Sequence, residues 1–199
     1  ESASSEAAIY LAESMTLAAL THFFPGTQRW VERIYWSESQ RRLVGETVQY
    51  HGELVLASRP LTELPAEAVQ RALLIELKQR PQIVFTKEVK QLQGRMALLH
   101  RLFPDQWPDW SDEALMSALD TWLSPYLVGM VRMSQLEKMP FHTHLWASLT
   151  WEEQAAFDQL VPKSLPVPSG RQVRLDYAPC LDDYPPVLAL KLQEAFGWQ

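Results

Sequence analysis

Three basic residues lie close together near the C-terminal end of the chain, Lys163, Arg171 and Arg174, and no acid occurs between Lys163 and Asp176. Cations at such short spacing suit an anionic partner. The planar guanidinium of arginine engages a phosphate or a carboxylate through two parallel hydrogen bonds, so Arg171 and Arg174 are candidates for either contact. A second basic pair, Arg41-Arg42, and the two tryptophans of "PDQWPDW", Trp107 and Trp110, complete the candidate set. Aromatic rings stack on bases in single-strand binders, and tryptophan also serves at surfaces and interdomain contacts. The ordinary alternative for the cations is a solvated face, and for the tryptophans a packed core.

Other chemistry is poorly supported. The seven glycines contain no GxxxxGK[ST] loop, whose backbone N–H groups would cradle phosphates. "DEAL" at Asp112 to Leu115 follows "PDWS" and not a hydrophobic strand, so Ser111 reads as a helix N-cap with Asp112 and Glu113 in the first turn. His142 and His144, two apart, would share a metal only on an extended strand with further ligands nearby, and no Cys or carboxylate cluster supplies them. Cys180 has no neighbouring His or Lys to activate it as a nucleophile. Asp182-Asp183 reads as a solvated turn bounded by prolines. No catalytic or metal-binding residue is therefore assigned.

The elements that must position the candidates follow from periodicity. "RLDY" and its approach alternate Val173, Leu175 and Tyr177 with polar residues, which predicts a strand over 172–177. Leu188, Leu192, Ala195 and Phe196 recur at helical spacing after Pro185-Pro186 and before Gly197, predicting a helix over 187–196. The strand and helix together are read as a docking element that closes the core and holds Arg171 and Arg174 outward. Upstream, "AAIYLAE", "RWVERIYW", "RRLVGETVQY" and "ELVLAS" predict strands, and "TLAALTHFF" a short helix ended by Pro25-Gly26. From Leu64 helical spacing takes over: Val69, Leu73, Leu77; then Val89, Leu92, Met96, Leu99, Phe103; then Leu115, Ala118, Leu119, Trp122. Thr150 and Glu153 stand at capping-box spacing.

The fold class expected is α+β: a small antiparallel sheet subdomain over 1–61, then a mainly helical domain over 62–199 carrying the strand 172–177 and the helix 187–196. With 199 residues, 47% of them hydrophobic, the chain can bury a proper core. The formal charge of −6 argues against a free-standing nucleic-acid binder but leaves room for a local basic patch. Charge is evenly spread, with 5 basic and 8 acidic residues up to Leu64 and 13 and 16 after it, so neither part is an electrostatic tail. The apolar stretch Ile9 to Phe24 is interrupted by Glu13, Thr16, Thr21 and His22, too polar for a membrane span or a signal sequence. One cysteine excludes an internal disulfide and fits a reducing, cytoplasmic setting. Because Glu1 replaces an initiating methionine, the chain is expected to be part of something longer.

Two long blocks, "LLHRLFPDQWPDWSDEALMSALDTWLSPYL" (98–127) and "VPSGRQVRLDY...PPVLALKLQEAFG", resemble in order and spacing the C-terminal region of HrpB-type bacterial DEAH-box ATP-dependent helicases. "GELVLASRPL" fits the same region more loosely. The resemblance implies a parent with two RecA-like domains upstream that bind and hydrolyse ATP with Mg²⁺, and places this chain among the accessory domains. No cofactor is expected within the chain itself. Its expected partners are the upstream RecA-like domains and a single strand of RNA or DNA. Two functions are weighed: nucleic-acid engagement or bracing of the motor, and a protein-interaction module that recruits a partner without touching nucleic acid. An independent enzyme ranks last for want of a catalytic constellation. Purified chain is accordingly expected to release no phosphate from ATP in the presence of Mg²⁺; turnover that persists through further purification would contradict this.

Overall fold

The computed structural model describes residues 16–23, 28–168 and 170–191. In chain order the elements are α1 (Leu17–Phe23), β1 (Gln28–Ser37), β2 (Arg42–His51), β3 (Leu54–Pro60), α2 (Ala66–Gln79), α3 (Pro81–Val84), α4 (Lys87–Leu102), α5 (Asp112–Ser117), α6 (Leu119–Trp122), α7 (Met133–Leu136), α8 (Phe141–Trp146), α9 (Trp151–Leu160), β4 (Ser164–Pro166), β5 (Gln172–Asp176) and β6 (Val187–Leu188). Short 3-10 turns occupy Ser124–Leu127 and Ala178–Asp182. The chain divides into two compact units, 1–33 with 45–62 and 34–44 with 63–199.

In the first unit β2 is the central strand of an antiparallel meander. Val48 pairs with Ser58 and His51 with Leu54, with a bulge between Gln49 and Tyr50 and a left-handed Gly52 in the turn. Cations lie over rings along this sheet: Arg59 sits 5.4 Å from the Trp30 centroid and Arg29 5.5 Å from that of Tyr50. The expected strand "AAIYLAE" lies outside the described residues.

Residues 34–44, the ends of β1 and β2 with the turn between them, belong to the second unit because their apolar side chains are part of its core. Leu43 is fully buried there and Ile34 and Trp36 pack against the same cluster. Backbone hydrogen bonds fix this tip, Leu43 N–H to the Val131 carbonyl (2.8 Å) and Met133 N–H to that of Arg41 (3.0 Å).

The helices form where local signals place them. α2 buries Val69, Leu73 and Leu77. α4 starts at Thr86, whose hydroxyl accepts from Val89 N–H, and α5 starts at Ser111, whose hydroxyl accepts from Ala114 N–H. Thr150 and Glu153 cap α9 reciprocally, the Glu153 carboxylate accepting from Thr150 N–H at 2.7 Å. The third expected helix is divided at Ala118, which leaves the helical conformation (φ −92°, ψ 15°) between α5 and α6.

The expected helix over 187–196 is not what forms at its start. Val187 and Leu188 make β6, pairing antiparallel with β5 through Asp176↔Val187 and Leu175↔Leu188. Neither Pro185 nor Pro186 offers an N–H for a helical turn, and the extended segment after them completes the ladder on the edge of β5 left open by β4. β5 is thereby the centre of a three-stranded sheet, β4-β5-β6. Residues 189–191 are irregular, and 192–196 lie outside the described residues. The strand predicted over 172–177 is present as β5, with Leu175 and Tyr177 buried and Arg174 exposed.

α4 runs through the middle of this unit. Gln93, Gly94 and Arg95 are buried in succession, so the helix is covered on more than its apolar stripe. At Gly94 the backbone of Tyr177 comes so close that an added Cβ would lie 1.9 Å from its carbonyl oxygen. Only glycine admits this approach.

Two stability predictions follow from these contacts. In an ordinary helix interior Gly→Ala stabilises by roughly 1 kcal/mol; here Gly94→Ala should destabilise by about 1–3 kcal/mol, read as a lower denaturation midpoint, because neither backbone can retreat cheaply. An unchanged or raised midpoint would contradict the close packing. Thr150→Ala should cost about 1 kcal/mol in the same measurement, through loss of the reciprocal cap.

Candidate nucleic-acid interface

Within the second unit, α4, α8 and the β4–β5 pair enclose a cleft of about 570 Å³. That volume lies within the usual range of ligand sites, roughly 300–1,000 Å³. α4 contributes Glu88, Gln91, Leu92 and Arg95; α8 contributes His142, Thr143 and Trp146; the sheet side contributes Lys163, Ser164, Gln172, Arg174, Leu175 and Tyr177. The order follows from local geometry. On α8 Phe141 and Leu145 turn inward, which leaves His142, Thr143 and Trp146 to the cleft. On the sheet Ser164 stands opposite Arg174, and Leu175 N–H binds the Lys163 carbonyl at 3.0 Å, so both cations sit at one end of a single ladder.

The floor is rigid. Arg95 is 3% exposed; its Nε donates to the Val161 carbonyl (2.7 Å), its Nη2 is paired with Asp158, and its guanidinium lies 4.5 Å from the Phe157 centroid. Tyr177 donates its hydroxyl hydrogen to the Pro162 carbonyl (2.8 Å), and its N–H donates to Gln91 Oε1 (3.1 Å). Gln91 Nε2 in turn donates to Asp176, and this bond holds that carboxyl below its ordinary pKa, with Ala178 N–H adding to the effect. Trp146 packs edge-on against Phe157 (centroids 5.4 Å apart, 72°), and the Lys163 ammonium lies 5.5 Å from its ring centre. Glu88, the one acid among the described residues lining the cleft, has its pKa lowered by its own backbone N–H and by the Thr86 hydroxyl, so it is a carboxylate at neutral pH.

Two of the three basic residues lining the cleft differ from the ion-paired cations of the unit. Among the described residues neither Lys163 nor Arg174 forms a salt bridge, whereas Arg41 is bound to Glu137 at 2.6 Å, Lys90 to Asp112 at 2.6 Å and Arg101 to Asp183 at 2.7 Å. Of the five basic candidates, Lys163 and Arg174 are brought together. Arg171 is exposed just before β5 and outside the cleft lining, its carbonyl accepting from Val167 N–H. Arg41 is spent on its ion pair, and Arg42 is half-buried with Nε donating to the Leu43 carbonyl.

Trp107 and Trp110 are not surface groups. Each is 6% exposed and both rings pack around Phe157, at 5.6 and 6.5 Å. The prolines of "PDQWPDW" turn the segment back onto the core. Its carbonyls are also engaged, that of Trp107 by His100 Nδ1 and that of Trp110 by Gln93. Among the described tryptophans of the second unit the most exposed is Trp151, 77% accessible at the first position of α9. Neither Arg95 nor Trp146 is among the site candidates read from the sequence, where Trp107 and Trp110 are preferred over the other tryptophans; the outward face of α8, bounded by Pro140, was the available signal for Trp146.

A second depression, about 610 Å³, lies between α4 and the Ala178–Asp182 turn and is lined by Asp109, Asp112, Asp182 and Asp183 together with Lys90 and Arg101. Its two cations are each paired with an acid of the same lining, Lys90 with Asp112 and Arg101 with Asp183. Cys180 in its wall is buried and its thiol pKa is raised by that burial, which keeps it an unreactive thiol. His142 and His144 sit on a helix, and His144 stacks on Tyr126 at 3.8 Å. No cluster of metal-ligating side chains occurs among the described residues. None of their helices is long and apolar enough to cross a membrane.

Comparison with known proteins bears on this unit directly. Residues 122–199 match the family described as ATP-dependent helicase C-terminal, a span that includes α8, β4 and β5. The ATP-dependent RNA helicase HrpB of Escherichia coli (strain K12) is 29% identical over 199 residues, covering 98% of this chain and 24% of that protein. Crystal structures titled E. coli DExH-box NTPase HrpB and Escherichia coli DEAH/RHA helicase HrpB superpose with TM-scores of 0.64 at 27% identity, over 92% and 87% of this chain and 23% and 22% of theirs. The chain thus spans about a quarter of the length of these relatives. In sequence and in its α+β fold, and over nearly its whole length, it is similar to the C-terminal region of HrpB-type ATP-dependent helicases.

Proposed function

We propose that the chain is an accessory, non-motor region of an ATP-dependent helicase, and that the cleft between α4, α8 and the β4–β5 pair engages the nucleic-acid strand. One observation carries the reading: Lys163 and Arg174 converge on a cleft without a salt-bridge partner, while Arg41, Lys90 and Arg101 are neutralised by neighbours. Two exposed cations on one wall of a cleft raise the local positive potential and so attract an anion. A phosphate backbone supplies one at each nucleotide. In this reading ATP and Mg²⁺ act in RecA-like domains elsewhere in the parent, and the accessory region steers or holds the strand those domains move along.

A second reading rests on Trp151. A tryptophan 77% exposed at the start of a helix is the kind of apolar anchor that a recruited protein would cover. The two readings separate on salt dependence. Each phosphate contact to a single strand contributes about 0.7 to the slope of log K against log salt. The double variant Lys163→Ala, Arg174→Ala should therefore bind a single-stranded oligonucleotide more weakly, with a slope smaller by about 1.4. Unchanged affinity and slope, measured by fluorescence anisotropy across a salt series, would remove the strand contact and leave recruitment as the function.

A further inference from the structure

Resting on the strand-engaging reading of the cleft, we infer that Trp146 is a stacking platform for one base of the bound strand, with Lys163 as the group that covers the platform in the empty cleft and moves to the backbone phosphate when a base enters. The ring is placed for this. Trp146 is half-buried, anchored edge-on against Phe157, and lines the cleft through the remainder of its surface. Lys163 holds its ammonium 5.5 Å from the ring centre. An exposed cation–π contact is weak, whereas a base stacked on the same ring contributes more. Exchange of the ammonium for a base is thus favourable, and the released ammonium needs only to swing on its four-carbon stem to meet a phosphate.

The surroundings suit a nucleotide unit better than a peptide carboxylate. The apolar side chains of Leu92 and Leu175 line the same cleft, and Thr143, Ser164 and Gln172 supply donors and acceptors for base and sugar edges. Ser164 Oγ is within 3.3 Å of Gln172 Oε1, a contact that leaves the Gln172 amide group to donate. Arg174 stands across the ladder from Ser164 and supplies the second phosphate contact. A flat ring, a polar edge and two cations on one side match base, sugar and phosphate in turn.

The test uses the full 199-residue chain, a short oligouridylate and the matching oligodeoxythymidylate. Trp146→Leu should lower affinity for both about five- to hundred-fold, because stacking does not read the sugar, and Trp146→Phe, which keeps a ring, should restore most of it. Tryptophan fluorescence of the unmodified chain should be quenched on binding, and Trp146→Phe should remove that component. Lys163→Ala should keep the quenching, since it only uncovers the ring, while reducing the salt slope by about 0.7. If Trp146→Leu binds as the unmodified chain does while the Lys163, Arg174 double variant is weakened, the stacking inference is wrong and the strand reading stands. If the double variant is also unchanged, both fall. Equal weakening by Trp146→Leu and Trp146→Phe overturns the platform in favour of mere packing. Polyglutamate that binds with the same Trp146 dependence, where the oligonucleotides do not bind, overturns it in favour of a carboxylate ligand.

Discussion

The second unit depends on what α4 carries at Gly94 and Arg95. A guanidinium taken out of water is costly unless its hydrogen-bonding groups are satisfied, and removing one partner of a buried pair typically costs about 3–5 kcal/mol. Arg95 meets the requirement by binding Asp158 and the Val161 carbonyl, which ties α4 to the end of α9 and the approach to β4. Asp158 is itself 46% exposed, so this pair is only partly desolvated and sits at the lower end of that range. One residue earlier, the missing side chain of Gly94 lets the Tyr177 backbone rest on the helix at the exit of β5. Tyr177 then closes the ring through the Pro162 carbonyl. The entry to β4 and the exit from β5, which adjoin at one end of this strand pair, are thereby fixed to consecutive residues of one helix, and the cleft wall is held there.

Rigid walls matter because the cations of the cleft stand on them. A chain with a net charge of −6 has acids to spare, and among the described residues Arg41, Arg80, Lys90, Arg95 and Arg101 of the second unit are each matched to one. Lys163 and Arg174 form no salt bridge among the described residues: no acid lies between Lys163 and Asp176 in the chain, and Asp176, which accepts from Gln91 and the Ala178 N–H, keeps its charge and meets Arg174 only at longer range. The local positive site on an acidic protein follows from the register that sets Lys163 and Arg174 at one end of the ladder. Placement on a strand pair anchored to a helix also limits the side-chain freedom lost when an anion binds.

Much of this was legible in the sequence where the cause is local. The caps at Ser111 and Thr150, the stripe Val69-Leu73-Leu77 and the alternation across 172–177 depend on neighbours a few residues away, and each formed as read. The N-terminal antiparallel sheet and helical body likewise follow from periodicity. Long-range causes were hidden. Trp107 and Trp110 looked like surface groups because their segment is rich in proline and aspartate, but Phe157, some fifty residues on, gives them a core to enter. Val187 and Leu188 carried a helical period, and an open edge on β5 outweighed it. Of the basic candidates, only the β4–β5 register distinguishes Lys163 and Arg174 from Arg171 and Arg42. Arg95 gave no sign at all, since a single arginine on a helix reads as solvent-facing until Asp158 and Val161 are placed beside it.

The central claim is that a nucleic-acid strand occupies the cleft under α8 and over the β4–β5 pair. Photocrosslinking a single strand that carries 4-thiouridine to the chain, followed by mass spectrometry of the linked peptides, tests it most directly. The account predicts linked peptides from 142–146 and from 163–175, with Trp146 and its neighbours foremost. Crosslinks confined to the exposed end of α9 around Trp151, or to the sheet of the first unit, would contradict it.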